Sequence, residues 1–94
     1  MTGSYRARLV ATRPGIDYLH DADVAVAAST IVGFISERFT VDHSQLQAAL
    51  LADNIVGITV VFETPSDEDA NTVVEHAAQS LWGWHVKMAV EAKR

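Results

Sequence analysis

The chain has 94 residues, of which 49% are hydrophobic, and a formal net charge of −5 at pH 7. These values predict one globular domain over residues 1–94 and disfavour non-specific binding to nucleic acid or anionic lipid. The lack of cysteine excludes disulfides and cysteine catalysis, and no apolar run approaches the ~20 residues of a membrane span. We therefore expect a cytoplasmic domain that makes no membrane contact.

The first predicted strand covers Tyr5–Arg13, because apolar and polar side chains alternate along it. The Pro14–Gly15 pair ends this strand with a turn. A long connection then leads to a helix predicted over Asp23–Phe39, with Asp21 or Asp23 as its N-cap. The apolar residues of this helix recur at steps of three and four: Val24, Ala27, Ala28, Ile31, Phe34 and Ile35.

The segment Thr40–Asp53 is compatible with two interpretations. As a strand it would direct Leu46, Ala48 and Leu50 inward, whereas intrinsic propensity favours a helix. We favour the strand, because Ala52–Asn54 is a turn signal and the β-branched segment that follows needs a pairing partner. The helix stays open as the alternative.

The last forty-odd residues show a clear strand, helix and strand. Asn54–Glu63 is a β-branched strand, and two overlapping capping patterns within Thr64–Asp69 predict the start of the second helix. Gly83 is expected to end this helix with a positive φ, and the strict alternation of Trp84–Lys93 predicts the final strand. The second helix has a stripe of residues predicted to be buried: Ala70, Val73, Val74, Ala77 and Leu81.

The order strand, helix, strand, strand, helix, strand predicts an α+β fold. Its expected form is a ferredoxin-like β-α-β-β-α-β sandwich, with a four-stranded antiparallel sheet and two helices on one face. In that topology the strands lie in the spatial order fourth, first, third, second. The second face of the sheet carries no helix, and we expect the function to lie there.

Basic side chains concentrate on this open face. The first and last strands would be antiparallel neighbours, so Arg6, Arg8, His85 and Lys87 would share the face. Such a patch predicts a binding site for an anion or a small metabolite. Sheet-face RNA readers stack bases on aromatic side chains, and the two central strands direct none outward here, so nucleic acid is not an expected partner.

The same face carries less polar positions that are predicted to form a protein interface: Val10, Gly57, Thr59, Val61 and Ala89. Small domains with an uncovered sheet gain buried surface by pairing. We therefore expect a homodimer, or a complex with another protein, through the open face or the edge of the second strand. On this basis Val61→Arg would break a face-to-face dimer, and Gly57→Val would be tolerated in a monomer.

The sequence predicts neither a metal site, nor a cofactor, nor a catalytic constellation. The four histidines lack a recognised ligand spacing, and the serines lie in no nucleophile-elbow context. The favoured function is a small non-catalytic interaction or assembly module. Two alternatives stay open: a small-ligand binding or sensor domain, and a cofactor-independent enzyme of the dimeric α+β barrel type. In the enzyme, His85 beside Arg6 or Arg8 would be the acid–base group.

Overall fold

The computed structural model describes residues 3–93. Its elements in chain order are β1 (Gly3–Thr12), α1 (Asp21–Ser36), β2 (Thr40–Val41), β3 (Gln47–Ala52), β4 (Ile55–Thr64), α2 (Asp67–Ser80) and β5 (His85–Ala92). A single 3₁₀ turn, His43–Gln45, lies between β2 and β3. The α+β class predicted from the sequence is confirmed in this part of the chain.

The five strands form one antiparallel sheet in which β1 and β4 are central. β5 pairs with the outer side of β1, while β2 and β3 both pair with the outer side of β4. The prediction of four strands was therefore wrong, because the segment predicted as the second strand is divided in two. Both helices pack on one face of the sheet, where their apolar stripes meet alternate residues of β1 and β4 in a single core.

Asp42 causes the division of the second strand. Its carboxylate accepts hydrogen bonds from the Ser44 amide at 3.0 Å, the Ser44 hydroxyl at 2.6 Å and Gln45 Nε2 at 2.6 Å. The hydroxyl bond, followed by the Gln45 bond, lowers the pKa of Asp42. Because Val41 pairs with Phe62 and Gln47 pairs with Thr59, residues 42–46 oppose only residues 60–61. The residues in excess cannot pair with β4, so they protrude from the sheet as a turn.

The strand interpretation of Thr40–Asp53 is thus correct at both ends and wrong in the middle. The helix alternative is wrong, because side-chain hydrogen bonds to the backbone stabilise a turn in place of helical repeats. Ala48 and Leu50 are exposed, as are all six residues of β3, and Leu46 is half-buried. Ala48 and Leu50 do point to the helix side, opposite the core residues Ile58 and Val56, but they stay exposed because β3 lies at the margin of the two-helix layer.

The helix ends differ in part from the sequence prediction. Ser66 caps α2 by accepting from the Asp69 amide at 3.2 Å, as one of the two overlapping patterns predicted. The N-cap of α1 is His20, because Asp23 accepts from the His20 amide at 2.8 Å as the third residue of the helix. All five residues of the predicted α2 stripe are buried.

A hydrogen bond joins β1 to the start of α2. The hydroxyl of Tyr5, near the start of β1, donates to Oδ1 of Asp67. This bond is the main cause of the raised pKa of Tyr5, with burial and the negative charge of Asp67 adding to it. The contact orients the first turn of α2 over the core.

Thr64→Val should stabilise the domain. Thr64 is fully buried, and its Oγ1 has no hydrogen-bond partner among residues 3–93. Since a methyl group of the same shape removes an unsatisfied polar atom, we expect the free energy of unfolding to rise by about 1 kcal/mol in urea denaturation. Thr72→Val on the exposed face of α2 is the matched control, with little change expected. A loss of stability at Thr64 would show that its hydroxyl is hydrogen-bonded.

Candidate functional site

The open face of the sheet is arranged in rows of paired residues. Four rows run across β5, β1 and β4: Glu91–Arg6–Val61, Ala89–Arg8–Thr59, Lys87–Val10–Gly57 and His85–Thr12–Ile55. Directly opposed residues in an antiparallel sheet share one face, so each row crosses the open face. All nine residues singled out from the sequence therefore lie on this face.

The rows separate the predicted basic patch into two ends. His85 pairs with Thr12, whereas Arg6 pairs with Glu91 at the other end of β5. Along the strands, His85 lies six positions from Arg6 and four positions from Arg8, which correspond to about 20 Å and about 13 Å. His85 is therefore beside neither arginine, which removes the arrangement on which the proposed acid–base role of His85 depended.

Arg6 and Arg8 share a single carboxylate. Oε1 of Glu91 lies 3.7 Å from Nη1 of Arg6 and 3.4 Å from Nη2 of Arg8. Two guanidinium groups therefore lie beside this carboxylate, and Glu63 and Asp42 lie farther out at the same end of the face. Exposed ion pairs of this kind add little to stability, so both arginines keep donors for another anion.

A cavity of about 320 Å³ opens beside these arginines. Its lining comes from four parts of the fold: β1, β4, the turn that leaves the sheet after Asp42, and the first residue of β3. The lining residues are Arg6, Arg8, Ser44, Gln45, Gln47, Thr59 and Val61. None of these described lining residues carries a carboxylate, and His85 and Lys87 lie outside the cavity. The sequence therefore located the two arginines but not their neighbours.

Gln45 holds the turn against the open face. Its Nε2 donates to Asp42, and its Oε1 accepts from the ammonium group of Lys93, which follows β5. This contact joins opposite edges of the sheet above Val61. Val61 is only 4% exposed, so it is not available to a partner, and this corrects its place among the predicted interface residues. Val61→Arg would disturb the monomer and is not a clean test of a dimer.

Leu51 covers Gly57 on the same face. A Cβ atom added to Gly57 would lie 2.9 Å from Cδ1 and 3.0 Å from Cγ of Leu51. Gly57→Val therefore requires the exposed side chain of Leu51 to move aside, and its tolerance in a monomer stays a prediction. Alternation along β3 directs Leu51 to this face with Gln47 and Ala49. It does not predict the close contact with Gly57.

The two edges of the sheet differ in charge. β3 has six exposed residues without a charge or a proline, whereas β5 carries His85, Lys87 and Glu91. α1 lies alongside β3, and a shallow groove between them contains Ala25 and Ala48. The exposed residues of α1 beyond its first turn are uncharged: Ala25, Val26, Ser29, Gly33 and Ser36. Uncharged surface therefore continues from the helix to the sheet edge.

Three further observations concern residues 3–93. They contain no group of three or more histidine, aspartate and glutamate side chains placed to hold a metal ion. Neither of their helices has the length and apolar character of a membrane span. Trp82, in the turn before β5, is 93% exposed and is the most exposed of the large hydrophobic side chains.

Comparisons with known proteins show the fold alone. No family model matches the chain, and no curated protein matches it either. The de novo designed protein Foldit4 is similar over 100% of both chains, with a TM-score of 0.57 and 12% identity. The Bacillus subtilis YXEP protein, a dinuclear metal binding peptidase from the M20 family, is similar over 97% of this chain and 26% of its own, with a TM-score of 0.58 and 17% identity.

A third similar structure is an amidase of the hydantoinase/carbamoylase family from Burkholderia multivorans. It covers 99% of this chain and 28% of its own length, with a TM-score of 0.54 and 16% identity. The chain therefore spans about a quarter of each of these two natural enzymes. A two-helix layer on an antiparallel sheet thus occurs both as a whole designed protein and as a portion of larger enzymes.

Proposed function

We propose that this domain is a non-catalytic assembly module that forms a homodimer by pairing β3 with β3 of a second copy. The observation that carries this proposal is the uncharged edge of β3, exposed over its full length. An edge strand presents unpaired backbone donors and acceptors, and natural sheets protect such edges with charges, prolines or covering elements. β5 has charged side chains at its edge, and β3 lacks that protection.

The outer face of α1 supports the same arrangement. Antiparallel pairing of two β3 strands about a two-fold axis brings both α1 helices to the same side of the joined sheet. The small residues Ala25, Ser29 and Gly33 allow two helices to approach closely, and Val26 adds apolar surface. α2 would be a poor alternative, because its exposed face carries Asp67, Glu68, Asp69 and Glu75.

We also propose that the fold is a ferredoxin-like arrangement with an interrupted second strand. When β2 and β3 are counted as one strand divided by the His43–Gln45 turn, the element order is β-α-β-β-α-β. The spatial order is then fourth, first, third, second, as that topology requires. The interruption affects only the outer strand, where inserted residues do not disturb the central pairing.

Ala48→Lys should convert the dimer into a monomer. Ala48 is exposed on β3, so the lysine does not disturb the monomer, but in the dimer it places like charges on two adjacent edges. We expect the wild type to be dimeric by light scattering and sedimentation from about 10 µM to about 1 mM, and Ala48→Lys to be monomeric over that range. The matched control, Thr72→Lys on the exposed face of α2, should stay dimeric.

Three results would contradict the proposal. A wild type that is monomeric at about 1 mM would remove the dimer altogether. An Ala48→Lys variant that stays dimeric would exclude the β3 edge. Dissociation by Ala89→Lys, which adds a charge on the open face, with no effect of Ala48→Lys would assign the interface to that face instead.

A further inference from the structure

The open face carries a second cavity directly beside the arginine cavity. It has a volume of about 270 Å³, and it shares Arg8, Gln47 and Thr59 with the first. Its remaining lining is mainly apolar: Leu9, Val10, Ala48, Ala49, Leu51, Gly57 and Ile58. A positively charged pocket and an apolar pocket therefore meet along one row of the sheet.

Gly57 and Leu51 shape the apolar pocket. The space left by the missing side chain of Gly57 is filled by Leu51, which is itself 62% exposed. Val10 pairs with Gly57 and is 39% exposed. The exposed surfaces of Val10 and Leu51 are ones that a small apolar group can cover, with a gain from burial of roughly 25 cal/mol per Å².

The charged pocket contains hydrogen-bond donors that suit an anion. Arg6 and Arg8 offer planar guanidinium donors, and Glu91 occupies them from the β5 side only. Thr59 adds a hydroxyl group, the Ser44 hydroxyl already donates to Asp42, and Gln45 is held in place by Asp42 and Lys93. Paired guanidinium groups with a neighbouring hydroxyl donor match the geometry of a carboxylate.

From this juxtaposition we propose that the open face binds a small amphipathic carboxylate. Its carboxylate contacts Arg6 and Arg8 from the β4 side, opposite Glu91, and its apolar body packs against Val10 and the exposed side of Leu51. The opposite end of the face, with His85, takes no part. The ligand would contact side chains on the open face, whereas the proposed dimer uses the backbone groups at the outer edge of β3. Because β3 residues also line the apolar pocket, binding is measured at one fixed protein concentration.

The test uses 3-phenylpropionate as the probe, in a ¹H–¹⁵N NMR titration of the full chain up to ~10 mM. We expect a dissociation constant of about 1 mM or tighter, with shifts at the amides of Arg8, Gly57 and Thr59. Acetate, which lacks the apolar body, and 3-phenylpropan-1-ol, which lacks the charge, should each bind at least about tenfold more weakly.

Arg8→Gln should weaken 3-phenylpropionate binding by about tenfold or more. Lys87→Gln is the matched control, because it removes one positive charge from the same face outside both cavities, and it should leave the affinity unchanged. Unchanged melting temperatures would show that both variants are folded. Thr59→Ala, which removes a hydroxyl shared by the two cavities, should also weaken binding.

Any of four results would overturn the proposal. The first two are the absence of amide shifts at ~10 mM 3-phenylpropionate, and binding of the alcohol or of acetate as tight as that of 3-phenylpropionate. The third is wild-type affinity of the Arg8→Gln variant. The fourth is an equal loss of affinity in Arg8→Gln and Lys87→Gln. The last would indicate a general electrostatic attraction rather than a site.

Discussion

Phe62→Ala is expected to lower the free energy of unfolding by about 3–5 kcal/mol, because it removes the largest fully buried side chain of the core. The Phe62 ring lies 6.2 Å from that of Tyr5 and 6.1 Å from that of Phe39, between centroids. Neither neighbour can fill the space without leaving its own packing position. Since a domain of this size is typically stable by about 5–15 kcal/mol, the variant should be close to unfolding. Urea denaturation followed by circular dichroism measures the loss.

Phe34→Ala is the matched control for this prediction. Phe34 loses the same atoms, but it lies half-buried on α1 with the guanidinium of Arg38 4.3 Å from its ring centroid. We expect its cost to be less than half that of Phe62→Ala. Both variants should be measured at one protein concentration, because dimerisation would add to the apparent stability. Equal losses would mean that Phe62 does not face the core and that the register of β4 is shifted by one residue.

Gly83→Val is expected to destabilise the domain by about 1–3 kcal/mol. Gly83 has a φ of 83° in the turn where the Trp84 amide donates to the Leu81 carbonyl at 3.3 Å. A β-branched residue resists this conformation although no other atom would meet its Cβ. The cost is therefore one of backbone strain, and it should appear in urea denaturation as a lower midpoint with an unchanged slope.

Gly33→Ala is expected to raise the free energy of unfolding, the opposite of the effect of Gly83→Val. Gly33 lies inside α1, where nothing lies within 4 Å of an added Cβ and no positive φ is required. Alanine should therefore stabilise the helix by up to about 1 kcal/mol. Stabilisation by both substitutions would show that the turn before β5 does not hold Gly83 at a positive φ.

Several elements followed from the sequence because each is specified by its own residues. β1 and β4 carry strict alternation, and alternation alone determines which side chains of a central strand face the core. α2 has a capping serine at Ser66 and a continuous apolar stripe, so its start and buried face were both predicted. The turn glycine Gly83 was recognised, although α2 ends at Ser80, three residues before it.

The open face shows where local patterns were insufficient. The alternation of β1 identified Arg6 and Arg8 as outward residues, but the cavity beside them depends on a turn from another part of the chain. The spacing of Asp42 and Ser44 was a signal for that turn, since aspartate commonly accepts from the amide two residues later. Because Thr40–Asp53 was interpreted as one continuous strand, the turn at His43–Gln45 was not predicted.

The sequence by itself determined the order of the elements, the two central strands and the face that each of them buries. These properties depend on residues a few positions apart, whose burial pattern is readable along the chain. Only the tertiary structure decided that Gln45 meets Lys93, 48 residues away, and that Leu51 lies over Gly57. Both contacts depend on where the outer strand leaves the sheet after Val41 and on where it pairs with β4 again at Gln47. The surface available for function was therefore set by the interruption of one edge strand.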